Sequence, residues 1–207
     1  QEAYDNTIVS FKVGEDHRVL LPVLTTLDGF VTTHAMERCE MDEDEVVKNF
    51  LGEYTPLYPL LDTDKPIAQG MFANLGDTYM KCKKAERNVM DGVEAAIEEH
   101  GKAWEKISGR PFDIVDCWNT EDADYIIVVL GSAAGNARFA ARQLREQGKK
   151  VGIVRPRVFR PFPAAKIVDA CKNAKAVAVL DRSDSLGAQY PPLCAEVAAS
   201  FYEAGLS

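Results

Sequence analysis

Basic residues are in short supply in this sequence: 24 lysines and arginines face 32 aspartates and glutamates, leaving a net charge of -8. Nucleic acid and anionic membrane surfaces both need clustered Lys and Arg. The one local run, Lys81 to Lys84, is too short to supply them, so neither is a main partner. No apolar run approaches the roughly 20 residues of a membrane-spanning helix, and no signal-peptide pattern is visible. Cysteine is scarce and scattered: Cys39, Cys82, Cys117, Cys171 and Cys194 are odd in number and lack CxxC spacing. That excludes a disulfide framework, a paired-cysteine metal site and an on-chain iron–sulfur run, and it points to a reducing cytoplasm. His17, His34 and His100 are scattered and show no metal-ligand spacing.

What is present suffices for one large domain or two small ones: 207 residues, of which 46% are hydrophobic. The chain opens at Gln1, without methionine, inside a helical pattern in which Ala3, Tyr4, Ile8, Phe11 and Val13 recur before Gly14, and this predicts a piece of something longer. The run Arg18 to Gly29, dense in Val and Leu, predicts a buried strand and, with the helix, the tail of an α/β domain. From Phe30 to Pro66 a short acidic helix and a proline-rich stretch predict a linker arm. A long helix follows from about Thr78 to Ile107, with Tyr79, Val89, Val93, Ala96, Ile97 and Trp104 on one stripe. The last 85 or so residues alternate three apolar runs with three amphipathic helices, the pattern of βαβ units on a mostly parallel sheet flanked by helices.

The first of those runs enters a glycine loop, Gly131 to Gly135. Its spacing matches neither GxGxxG nor GxxxxGK[ST], so it predicts a turn at Gly131 and a helix capped by Ser132. A phosphate at the helix N-terminus is the alternative. The helix carries an apolar face of Ala137, Ala140, Ala141 and Leu144, with Arg138, Arg142, Arg145 and Glu146 expected to point away. His34, in a loop after an apolar run, is a candidate proton carrier, with a surface or capping role as the alternative. Arg155, Arg157 and Arg160 alternate with Pro156, Val158 and Phe162 and can face an acidic partner, a phosphate or nearby carboxylates. Asp181, Arg182, Asp184 and Ser185 lack the length and glycine placement of a calcium loop and read as a turn.

The order of "VVLGS", "LREQGKKVGIVRPRVFRPFP" and "NAKAVAVLDRSDSLG" strongly resembles domain II of the pyruvate:ferredoxin (2-oxoacid:ferredoxin) oxidoreductase family, found on the alpha subunit where the enzyme is split. "LLPVLTTLDGFVTTH" resembles the end of that family's pyrimidine-binding domain, and "SGRPFDIVDCWNTEDADYIIV" the join between domains. The resemblance implies residues 1–32 as the end of the pyrimidine-binding domain, 33–118 as linker arm and long helix, and 119–207 as a transketolase C-terminal-like domain II. It also implies an oxidoreductase of anaerobic metabolism, a pyruvate synthase that decarboxylates a 2-oxoacid to an acyl-CoA with thiamine diphosphate, Mg²⁺, coenzyme A and iron–sulfur clusters, passing electrons to ferredoxin. No cluster cysteines and no GDG-type diphosphate motif are visible, so none of these cofactors is expected on this chain alone. Its partners are then the other subunits or domains of the same enzyme, with ferredoxin reached through them. Asp28, His34, Arg157 and Arg160 are the candidates for the site entrance or an interface. A free-standing nucleotide-binding domain and a transketolase or dehydrogenase fragment are the rival readings.

Overall fold

The computed structural model describes residues 1–67 and 77–206; the stretch 68–76, inside the expected linker, and Ser207 lie outside the described residues. The chain divides into two compact units, one of Gln1–Thr26 with Met36–Phe112 and one of Leu27–Ala35 with Asp113–Ser207.

Among the described residues the first unit is built of helices: α1 (Glu2–Gly14), α3 (Asp44–Leu51) and α4 (Asp77–Ser108). Ile8, Val9 and Val13 of α1 pack with Phe50 of α3 and with Val93, Ala96 and Trp104 of α4. Phe11 and Tyr79, expected on the buried stripes, face solvent instead. The helix α4 ends where Gly109 takes a left-handed turn at φ +70°, which costs glycine little. Arg110 then reaches back into the core, where it donates to Asp5 and Asp42 while the Trp104 indole also donates to Asp5. The buried Asp5 and the partly buried Asp42 carboxylates thereby share a cation, the condition for leaving water at tolerable cost.

The strand expected at 18–29 does not form. A strand needs a neighbour to complete its backbone hydrogen bonds, and no strand lies among this unit's described residues. Leu20 sits at φ +45°, which breaks an extended path, and Pro22 has no N–H to donate. The arm is also less of a linker than its composition suggests. Phe50 is buried against Trp104, with ring centroids 5.0 Å apart, while most residues of the arm before and after α3 lie open.

The second unit holds a four-stranded sheet in the order β1-β3-β2-β4, made of β1 (Val115–Trp118), β2 (Tyr125–Val129), β3 (Val151–Pro156) and β4 (Ala176–Leu180). The pairs β2·β3 and β2·β4 are parallel, as the alternating pattern predicts, and β1 is an antiparallel edge strand hidden from sequence within the apparent domain join. The helix α5 (Ala133–Glu146) covers Val129, Val151 and Ile153 through Ala134 and Ala141. Side-chain alternation turns Ile126, Val128 and Val154 to the other face. The helices α6 (Ala164–Cys171) and α7 (Pro192–Glu203) complete the unit, α6 against β1 and β3 and α7 against β4. Of the expected α5 face Ala140 is exposed, and Arg138 and Arg145 fold back: Arg138 onto Asp116 of β1, Arg145 onto Asp122 and the Val151 and Asn119 carbonyls.

Candidate functional site

Three stretches far apart in sequence converge on the loop between β2 and α5. Gly131 adopts φ +62°, the conformation glycine tolerates best, and turns the chain into the helix. A side chain there would place its Cβ 2.8 Å from Oδ2 of Asp28, so the carboxylate keeps this seat only beside glycine. The Asp28 carboxylate accepts the Ser132 backbone N–H at 2.6 Å, and Arg182, just beyond β4, donates to its other oxygen at 3.1 Å. Ser132 therefore stands at the N-cap position without a side-chain cap, contrary to expectation. Its backbone N–H, one of the donors a helix leaves unpaired at its start, is satisfied by a carboxylate from 104 residues away. Hydrogen bonds from Ser132, reinforced by the Arg182 charge and opposed by partial burial, hold the Asp28 carboxyl below its ordinary range.

His34 closes the short helix α2 (Val31–His34), on the same segment as Asp28. Its Nδ1 lies 2.8 Å from the Phe30 carbonyl oxygen, and the two rings lie tilted against each other with centroids 4.8 Å apart. A carbonyl oxygen only accepts, so Nδ1 carries the proton and a neutral imidazole keeps its lone pair on Nε2. Phe30 is 76% exposed and sits at φ +59°, an unfavourable region for a residue with a side chain.

The arginines of the β3 end are engaged within the unit. Arg155 donates to Asp116 at 3.0 Å, sharing it with Arg138; burial pushes the Asp116 carboxyl up, and the two guanidiniums outweigh it, so the net shift is downward. The Arg157 backbone N–H donates to the Ile114 carbonyl and fixes the chain leaving β3. Arg160 lies over the Phe159 ring and pairs with Glu196 at 2.6 Å. Asp181 caps α7 by accepting the Leu193 N–H at 2.9 Å, as expected of a turn residue. The Cys171 thiol is pushed up to about 12 by burial, with a smaller contribution from Cys117, and is no nucleophile near neutrality.

A hollow of about 310 Å³ on the sheet is lined by Tyr125, Ile127, Val151, Ala176 and Ala178, with Lys149 its only charged lining residue. It lacks the convergent polar groups of a reaction centre. No group of three or more His, Cys, Asp or Glu able to hold a metal occurs among the described residues. Nor is any helix among them long and apolar enough to cross a membrane. At the start of α5 a phosphate is poorly matched, because the Asp28 carboxylate already takes the Ser132 N–H and repels a second anion. Sequence reasoning named Asp28 and weighed Gly131, Ser132 and Arg182 separately. The only available hint that they meet was a lone carboxylate preceding a glycine in an otherwise apolar run.

Comparison with known proteins adds the following. The family model described as pyruvate:ferredoxin oxidoreductase core domain II matches residues 123–206, and that described as pyruvate flavodoxin/ferredoxin oxidoreductase, thiamine diphosphate-binding, matches residues 1–102. Pyruvate synthase subunit PorA of Thermotoga maritima is 39% identical over 203 residues, covering 98% of this chain and 51% of its own. PorA of Pyrococcus furiosus is 38% identical over 187 residues, 90% of this chain and 47% of its own. The alpha subunit of NADH-dependent phenylglyoxylate dehydrogenase from Aromatoleum evansii is 32% identical over 214 residues, 99% of this chain and 51% of its own. The chain thus spans about half the length of the curated relatives it matches.

Proposed function

Because the chain belongs to the pyruvate:ferredoxin oxidoreductase family, we propose that it is part of a thiamine-diphosphate-dependent 2-oxoacid:ferredoxin oxidoreductase of the cytoplasm, with pyruvate as the substrate. In that reaction the 2-oxoacid loses CO₂, its acyl group passes to the thiol of coenzyme A, and the electron pair leaves through iron–sulfur clusters to ferredoxin. Thiamine diphosphate with Mg²⁺ supplies the carbanion stabilisation when bound. On this reading the diphosphate and the clusters are held by other parts of the enzyme, and this chain contributes fold and assembly surface. Asp28, His34, Arg157 and Arg160 belong to the entrance of the site or to an interface beside it. The observation that carries the reading is the meeting of Asp28, Gly131 and Arg182, one residue from each of three family-like stretches, in a cluster that builds structure instead of receiving a nucleotide.

The test is reconstitution. Combined with its partner subunits the chain is expected to support pyruvate- and coenzyme-A-dependent reduction of ferredoxin, and alone to decarboxylate nothing. Activity of the isolated chain, or micromolar binding of ATP or NAD by it that a Gly135→Val change abolishes, would instead favour a nucleotide-binding domain.

A further inference from the structure

The segment Leu27–Ala35 belongs to the second unit although the chain on both sides of it belongs to the first. It carries only nine residues, and its α2 has a single turn. So short a helix has no stability of its own, so something else must fix its shape. The Asp28 contacts supply that: one carboxylate takes a backbone N–H at the start of α5 and a guanidinium beyond β4, in space that only glycine at 131 leaves open.

Two residues later the backbone of Phe30 turns into the left-handed region, and this aims its carbonyl at His34 Nδ1. Phe30 holds a sparsely populated conformation, which persists only where surrounding contacts over-determine it. We propose that Asp28 is a positioning residue: its seat on Ser132 and Arg182 fixes the strap Leu27–Ala35, and the strap holds His34 exposed with Nδ1 protonated and Nε2 as a bare acceptor. His34 then offers the assembled enzyme an oriented imidazole lone pair that accepts from the water accompanying an incoming 2-oxoacid, whose own carboxylate and carbonyl oxygens only accept. This last step rests on the oxidoreductase reading; the clasp itself does not.

The tautomer is directly readable. The chain contains three histidines, and the ¹⁵N resonances of each imidazole report which nitrogen bears the proton, with a His34→Gln variant assigning the His34 pair. In the full chain, above the range in which imidazole is charged, His34 is expected in the Nδ1–H form. Gly131→Ala and Asp28→Asn are each expected to return it to the mixed pattern of a free imidazole and to remove amide-exchange protection from the strap, whereas Arg182→Lys, which keeps a charge near Asp28, retains both. His17 and His100 donate through Nε2 to the Thr55 carbonyl and to Asp16 in the other unit, so their unchanged signals report that the first unit is intact, and unchanged amide-exchange protection of β2 and β3 reports the same of the second. If one clasp variant disturbs all three histidines, the other decides. A wild-type His34 protonated on Nε2, or clasp variants that leave its pattern unchanged, would overturn the proposal. In the reconstituted enzyme Asp28→Asn and His34→Gln should raise the KM for the 2-oxoacid more than they lower kcat; the reverse pattern refutes the role of His34. Wild-type enzyme that oxidises no 2-oxoacid would refute the functional reading while the tautomer result stands.

Discussion

Charged groups in this protein act by being matched to partners near and far in the chain, and Asp16, held by Arg18 two residues on and by His100, shows the energetic sign most plainly. Arg18 donates to it through side chain and backbone, His100 donates at 2.8 Å, and together they outweigh partial burial, holding the carboxyl far below its ordinary range. A carboxyl lowered on folding stabilises the native state above its unfolded pKa of about 3.9, and that contribution is lost as pH falls toward the folded value. Asp16→Asn is therefore expected to lower the urea midpoint at pH 7 by an amount that shrinks as the pH is taken below about 4. A deficit that stays constant down to strongly acidic pH would show that the ion pair contributes nothing.

Within elements, identical residues carry opposite consequences according to what packs on them. Two glycines lie inside α4, where glycine costs about 0.5–1 kcal/mol relative to alanine. Gly92 faces open space, so Gly92→Ala should recover that amount as a higher denaturation midpoint. At Gly101 an added Cβ would fall on the ring of buried Phe112. Overpacking there costs about 1–3 kcal/mol, which exceeds the propensity gain, so Gly101→Ala should lower the midpoint. Equal responses of the two variants would show that helix propensity alone governs α4. In the sequence both glycines look alike, each an isolated breaker within a helical stripe, because the partner that separates them is not their neighbour in the chain.

For the molecule as a whole, the telling feature is apolar surface left open after α3. Tyr54, Leu57, Tyr58, Leu60 and Leu61 are exposed, Leu57 at 44% and Leu60 at 63%. Exposed apolar runs of this kind are typical of interaction surfaces, and under the proposed function this one packs against the partner subunits. Replacing Leu57 and Leu60 together with Asp should weaken association with the partner subunits, because unpaired charge is costly to bury, while the sheet unit keeps its fold. Size-exclusion chromatography of the double variant with those subunits decides, and normal assembly with full ferredoxin reduction would make the segment a spacer.

Local regularity was legible in the sequence wherever a pattern repeats over a whole element. The periodicities of α1, α4, α5, α6 and α7 and the apolar runs of β2, β3 and β4 identified those elements, since burial of one helix face or a full strand leaves a signature along the chain itself. The family segments were readable for a similar reason: their order is a property of the chain. The strand expected at 18–29 failed because an apolar run becomes a strand only beside another strand, and β1 went unseen because four residues on a sheet edge carry too short a pattern. The glycine loop marks the limit most clearly. Its spacing ruled out two phosphate fingerprints, but what fills the space above Gly131 was decided by tertiary structure, which brings a carboxylate from Asp28 and a guanidinium from Arg182 to one helix start. Contacts between residues more than a hundred positions apart leave no periodic trace in a single chain, and only folding brings them together.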